Sequence, residues 1–266
     1  AASEKPEVRL YYDTAKGYVL INNSKNILDV QKGIKAVKDD VGNSQGSVDL
    51  KASKCYYDLK ITPEMQSDID LYKKIEPLQN QDIELDFGEK KEKIDSKIAS
   101  GFIRMNEEGN IYLDKAGNAQ LDSDLVEAYI DKLSSKYDTV GITRSFHSTS
   151  GRNVSIEGGT YGNKIDKKSE LERLMGQLNK REKVSEEPVY AQKAAVQGDK
   201  NDIGNTYIEV DMSSQMLYHY VGGTIKLQTP VVTGNVALKR GTPAGVNYVI
   251  VKQKNRTLHG ANYTSF

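Results

Sequence analysis

The side chains best suited to covalent chemistry in this sequence are one cysteine, Cys55, and three histidines, His147, His219 and His259. A thiol attacks as its thiolate and needs a base or a helix terminus to hold it in that form. Cys55 lies in Ala-Ser-Lys-Cys-Tyr-Tyr-Asp, which reads as strand. Lys54 offers a neighbouring positive charge, but no motif brings a histidine, so Cys55 is read as a structural or surface cysteine. His219 alternates with tyrosines along a strand, His147 follows Phe146 in a hairpin, and His259 stands in a Leu-His-Gly run read as a surface loop. Their spacing makes no zinc site. No catalytic residue, metal ion or cofactor is assigned from these groups. Gly158-Gly159-Thr160-Tyr161-Gly162 lacks the Gly-Lys-Ser/Thr ending of a phosphate loop and reads as a tight bend beside a strand. Thr233-Gly234-Asn235 reads as a turn.

These groups sit in a chain of 266 residues, enough for one or two domains. Lys plus Arg and Asp plus Glu both number 37, so the net charge is zero. No global field draws the chain to nucleic acid or to an anionic membrane, and no nucleic-acid partner is expected. A single cysteine excludes an internal disulfide. No apolar run is long enough to cross a bilayer. Ala-Ala-Ser-Glu-Lys-Pro-Glu-Val has no signal-peptide pattern and reads as a cut amino end, so an anchoring segment is expected outside this sequence. Sixteen tyrosines and no tryptophan suit half-wet surfaces, because tyrosine joins an apolar body to a polar tip.

The periodicities sketch the elements that must hold these groups. Val8–Ile21 predicts a hairpin turning at Thr14–Gly17, and Ile27–Lys38 a helix weakened by Gly33. Gly42–Gly46 is a loop, and Ser47–Ile61 alternates like a strand. Thr62-Pro63-Glu64 predicts a helix start, with Thr62 as cap and Pro63 at the first helical position. Ile83–Phe87 predicts a strand, Lys91–Ser100 a helix, and Phe102–Leu113 a hairpin with a Gly-Asn turn. Ser123–Tyr137 and Lys168–Lys180 are amphipathic helices. Thr143–Glu157 is a hairpin turning at Ser150–Asn153. Lys180–Glu187 reads as a solvated linker, Pro188–Tyr190 as extended chain, and Gln197–Gly204 as a second linker. Past it, strands are expected at Tyr207–Asp211, Met216–Tyr220, Thr224–Val232 and Asn247–Lys252, with Gly222-Gly223 turning the first pair.

Three features of this tail occur together. They are Tyr207-Ile-Glu-Val-Asp followed by Gln215-Met-Leu-Tyr-His-Tyr, then Thr229-Pro-Val-Val-Thr-Gly-Asn235, then Gly241-Thr-Pro-Ala-Gly245. In this order they resemble the opening strands of an L,D-transpeptidase catalytic domain. Leu125–Thr139, Gly158–Asp166 and Glu187–Tyr190 resemble the domain that precedes it in Gram-positive members, a domain associated with peptidoglycan binding. Asn163 departs from the pattern, since relatives often carry tryptophan there, which leaves aromatic sugar stacking at that point unsupported.

The resemblance implies an α+β fold: a mixed α+β peptidoglycan-binding domain over 1–203, then the first strands of an all-β catalytic domain over 204–266. It implies cross-linking of peptidoglycan stems by cysteine acyl transfer in the parent enzyme. The family's Ser-His-Gly-Cys motif does not occur in these residues, so this chain is expected to be inactive as written. A non-catalytic peptidoglycan-binding or structural cell-wall protein is the alternative. Expected partners are stem peptides or glycan. The expected location is extracellular, in the wall or anchored to the membrane facing outward. Substrate contacts carried over by resemblance are Tyr161, Thr233, Gly234, Asn235 and His259. A sheet of about four strands is also expected to leave unpaired edges and low stability after residue 204.

Overall fold

A hairpin of β1 (Val8–Asp13) and β2 (Gly17–Asn22) leads into α1 (Val30–Gly42), α2 (Pro63–Gln79), β3 (Asp82–Asp86), β4 (Lys91–Ile94), α3 (Ser96–Ser100) and α4 (Ser123–Tyr137). Next come β5 (Arg144–His147), β6 (Asn153–Ile156), β7 (Lys164–Ile165), α5 (Lys167–Lys180), β8 (Lys183–Glu186) and β9 (Tyr190–Gln192). Five strands follow: β10 (Tyr207–Asp211), β11 (Met216–Val221), β12 (Thr224–Pro230), β13 (Leu258–Gly260) and β14 (Tyr263–Ser265). The computed structural model describes residues 5–42, 46–197, 202–254, 256–260 and 263–265. The expected loop at Asn43–Gln45 and the linker residues Gly198–Asn201 lie outside them. The chain is α+β, as its alternating and helical periodicities predict. It forms two compact units, one of residues 1–85, 92–129 and 171–186, the other of 86–91, 130–170 and 187–266.

The first unit owes its core to aliphatic side chains. Ile75, Ile83, Leu85, Ile94, Val126, Leu174 and Leu178 are fully buried. Each such burial contributes about 1.5–3 kcal/mol. Its sheet has the order β4-β3-β8, and β3 pairs in parallel with β8, Ile83 opposite Val184 and Leu85 opposite Glu186. The sequence α2 starts where expected: Thr62 Oγ1 accepts from Met65 N at 3.3 Å, and Pro63 fills a position that needs no N–H donor. The β1–β2 hairpin turns on Asp13, whose Oδ1 accepts from the backbone N–H groups of Ala15 and Lys16.

Several sequence expectations are corrected here. Ser47–Ile61 is not a strand. Asp49 Oδ1 accepts from Lys51 and Ala52, and Lys54 takes a positive φ of 51°, which breaks the extended run. Only a single bridge, Leu28 with Tyr56, remains of it. Cys55 therefore directly follows a turn and is buried. Lys91–Ser100 divides into β4 and α3 because Asp95 caps the helix, its Oδ1 accepting from Ile98 N at 2.9 Å. The first helix begins at Val30, three residues later than Ile27 suggests. Lys180–Glu187 is not a free linker: it contains β8, where half-buried Val184 stands between the exposed Lys183 and Ser185. Phe102–Leu121 forms three separate bridges in place of a regular hairpin, although the Gly-Asn turn is present at Asn106–Asn110.

In the second unit β10, β11 and β12 form an antiparallel meander with Tyr207 opposite Tyr220 and Leu217 opposite Thr229. Asn247–Lys252 does not join it. Val249, Ile250 and Val251 are 58%, 91% and 60% exposed, and the segment is not strand. The predicted hairpin of Thr143–Glu157 is present as β5 and β6.

Candidate functional site

A groove of about 920 Å³ opens in the second unit, lined among others by Phe146, Ile156, Tyr161, Tyr207, Glu209 and Tyr248. Two glycine-bearing segments meet beside it. Tyr161 N donates to Val246 O at 3.0 Å, and Val246 N donates to Gly158 O at 3.2 Å. Thr160 donates from its N and its Oγ1 to Asn247 Oδ1 at 3.0 and 3.2 Å. Gly159 sits at φ +99°, and a β-carbon there would lie 2.0 Å from Val246 O. Only glycine permits this approach. The bend read from Gly158–Gly162 is thus one side of a backbone clamp, and the Pro243–Val246 turn is the other.

Tyr161 is held from behind by a buried polar hub. Its Oη donates to Asp202 O and accepts from Ala195 N, both at 2.7 Å. Arg144 Nε and Nη2 grip the two Asp202 carboxylate oxygens at 2.7 Å each, and both side chains are only 1% exposed. The guanidinium also donates to the carbonyls of Thr139, Tyr161 and Ile142. Thr139 Oγ1 donates to Asp202 Oδ2 at 2.6 Å and accepts from Asn163 N at 2.7 Å. A buried ion pair is tolerable only when its remaining donors and acceptors are met, and this one meets them. Burial pushes the Tyr161 phenol above its ordinary value, and the Asp202 charge adds to it against the opposing Ala195 N–H and Arg144. The Tyr161 and Tyr248 rings lie 4.6 Å apart, which carries the aromatic surface along the groove.

On β10, Glu209 is buried and accepts from Thr149 N at 3.0 Å and from Thr149 Oγ1 at 2.6 Å. Thr149 Oγ1 also lies 2.8 Å from Tyr220 Oη. Tyr207 stacks on Tyr220 at 4.7 Å and meets Phe146 edge-on at 5.5 Å. These contacts fix the β5–β6 hairpin against the meander inside the unit.

The structure places the sequence-selected residues unequally. Tyr161 lines the groove. Thr233 is bracketed by the Gln215 amide, whose Nε2 donates to Thr233 Oγ1 at 2.6 Å while Oε1 accepts from Thr233 N at 2.8 Å. Gly234 N donates to the groove-lining Thr242 Oγ1 at 2.8 Å, and a β-carbon on Gly234 would meet Arg240 O at 2.0 Å. Asn235 closes its own turn, accepting from Arg240 N and Leu238 N. His259 is exposed on the β13–β14 hairpin, its Nδ1 3.2 Å from Thr264 Oγ1, and it does not line the groove. His219 is half-buried on β11, and His147 Nδ1 lies 2.8 Å from Asn153 Oδ1. Cys55 Sγ makes a 3.6 Å contact to Ser53 O. Among the described residues no cluster of His, Cys, Asp or Glu is suited to a metal ion.

Sequence reading missed Arg144, Asp202, Glu209 and Tyr248. Strand alternation carried a signal for Arg144, which lies two residues before Phe146 and so shares its side of β5. Asp202 carried none: it stands in a polar stretch read as linker, yet it is buried.

Residues 61–186 match the model of a family described as "Putative peptidoglycan binding domain". Two solved structures share the fold. One is the Ldtfm-avibactam carbamoyl enzyme, with a TM-score of 0.56 and 28% identity, covering 74% of this chain and 74% of that chain. The other is a cysteine-to-serine mutant of Enterococcus faecium L,D-transpeptidase, with a TM-score of 0.55 and 28% identity, covering 74% of this chain and 75% of that one. No curated protein matches the chain.

Proposed function

We propose that this chain, an L,D-transpeptidase-like cell-wall protein with a peptidoglycan-binding domain, holds peptidoglycan stem peptides or glycan in the groove beside Tyr161. The observation that carries this reading is the backbone clamp. It joins Gly158–Tyr161 to the Val246 turn, so two of the stretches that resemble the family meet at one groove. On this reading residues 1–203 precede the catalytic unit and 204–266 open it. Thr233, Gly234 and Asn235 order the turn behind the groove-lining Thr242, while His259, on a separate hairpin outside the groove, is a substrate contact by resemblance alone.

The resemblance supplies the chemistry of the parent enzyme. A cysteine thiolate attacks a carbonyl of the donor stem, a C–S bond forms, and the C–N bond to the terminal D-alanine breaks, its amine leaving with a proton. An acceptor amine then displaces the thiol. The present residues contribute binding to this scheme. Their one thiol, Cys55, is buried, so donor turnover is not expected of them. An extracellular location, with attachment to the membrane through a segment outside this sequence, fits that role. No helix among the described residues is long and apolar enough to cross a membrane.

Co-sedimentation with purified peptidoglycan and a thioester assay with a tetrapeptide donor test the proposal. Binding without turnover is the expected result. Failure to sediment with the wall material would remove the binding role, and turnover would overturn the assignment of these residues to binding alone.

A further inference from the structure

The second unit holds another cavity, of about 190 Å³, which shares no lining residue with the groove. Phe87, Tyr137, Tyr190 and Asn163 wall it. Every lining residue except Tyr190 falls within 61–186, the stretch that matches the peptidoglycan-binding family. Most of the groove's lining lies beyond residue 186. The family match therefore bears on this cavity more directly than on the groove.

Its walls are preorganised. Phe87 is buried and stacks on Tyr137 with centroids 3.8 Å apart and planes at 13°. Lys136 places its ammonium 5.1 Å from the centroid of the Tyr137 ring. Asn163 Oδ1 accepts from Ala194 N at 2.7 Å, and Asp138 Oδ1 accepts from Ile165 N at 2.9 Å. Tyr190 differs from these: it is half-buried, and its hydroxyl has no hydrogen-bond partner among the described residues. Burial pushes the Tyr190 phenol well up, and Glu187, Asp138, Glu170 and Asp86 add to the effect. The hydroxyl thus keeps its proton and stays ready to donate it in a hydrogen bond.

We propose that this cavity holds one N-acetylhexosamine ring of the glycan strand against Tyr190. This rests on the peptidoglycan-binding reading above and extends it to a second subsite that takes the sugar. Size argues for a single ring. The space equals about six waters at ~30 Å³ each, well under the ~300–1,000 Å³ of sites that enclose a whole small ligand. Charge argues against the stem, whose free groups include carboxylates. Glu89 and Asp138 balance Lys90 and Lys136 in the lining, while Glu187, Glu170 and Asp86 tip the field at Tyr190 negative. The glycan is neutral, because the carboxylate of its muramic-acid residues is spent in the amide that attaches the stem. A pyranose ring offers weakly positive C–H groups to the negative face of an aromatic ring, and its N-acetyl carbonyl can accept from the Tyr190 hydroxyl.

The test is calorimetric titration of the full chain with a neutral N-acetylglucosamine tetramer and, separately, with a free stem tetrapeptide. The sugar is expected to bind. Tyr190→Phe, which keeps the ring and removes the hydroxyl, is expected to weaken it about three- to tenfold. Ser135→Tyr, on the exposed rim of the cavity, is expected to occlude the space and weaken it at least as much. Unchanged sugar binding in both variants, with folding verified by circular dichroism, overturns the subsite. Tetrapeptide binding that both variants weaken overturns it in favour of the stem. Sedimentation with intact wall material but no binding of the sugar overturns it too, while the peptidoglycan-binding reading survives. If the unaltered chain binds neither wall material nor sugar, both fall.

Discussion

The hub around Arg144 and the meander β10–β12 belong to the same unit and are built on opposite terms. In the hub a fully buried guanidinium donates to the carboxylate of Asp202 and to three backbone carbonyls. In the meander Ile225 and Leu227 are 42% and 52% exposed, and the outer edge of β12 pairs with no strand among the described residues. The hub resists change because any lost partner leaves a buried charge alone. The meander tolerates change in its outward side chains, but its open edge is a template for association. The groove thus runs from the rigid hub at Tyr161 to the more adaptable meander at Tyr207.

The sharpest way to break this contrast is Arg144→Met. Leaving Asp202 buried without its cation is expected to cost about 3–5 kcal/mol in denaturant unfolding, and Asp202→Leu added to it is expected to recover most of the loss. A cost below about 1 kcal/mol would mean that the hub is not a stability centre. Next in size is Gly159→Ala. A methyl group forced toward Val246 O at a positive φ is expected to cost about 1–3 kcal/mol, read as a lowered melting temperature. Leu227→Lys on β12 is expected to change stability by no more than about 0.5 kcal/mol. Its effect belongs in sedimentation velocity, as less self-association; a large fall in stability would show that β12 is already covered in solution.

The smallest effect concerns Asp211, at the end of β10. Its carboxyl is held below the ordinary value of 3.8 by the Ser214 N–H first, then by the Ser214 hydroxyl, the Ser213 N–H and Arg152. A carboxyl depressed on folding stabilises the fold above its unfolded pKa, and that contribution disappears as pH falls through the lower folded value. Asp211→Asn is therefore expected to flatten the acid limb of stability below about pH 4 and to leave neutral pH nearly unchanged. An equally steep acid limb in the variant would assign acid sensitivity to other carboxyls.

The helices α2, α4 and α5 were legible because caps and apolar stripes are local signals. Thr62 and Pro63 mark one start, and Leu125, Val126, Tyr129, Ile130 and Leu133 recur at helical spacing. The hairpins β1–β2 and β5–β6 were legible for the same reason. β8 was not: Lys183-Val-Ser-Glu carries one apolar residue, and its partner β3 lies about a hundred positions earlier, as the Ser185 to Glu84 bond at a separation of 101 residues records. Among candidate site residues, Tyr161 was found through its glycine-flanked motif. Asp202 was hidden because its partner Arg144 stands 58 residues away. Pairing at that range leaves no mark on neighbouring residues.

The same parallel pairing sets a schedule for synthesis. β3 has one flank supplied by β4 nearby, but the other waits until β8 has been made, 101 residues after Glu84. At roughly 5–20 residues per second a ribosome needs about 5–20 s to deliver it. Throughout that interval Ile83 and Leu85 belong to a strand whose second hydrogen-bonding side is bare, while the chain from 130 to 170 is already emerging. Until β8 arrives, one edge of that strand stays open for longer than most small domains take to fold.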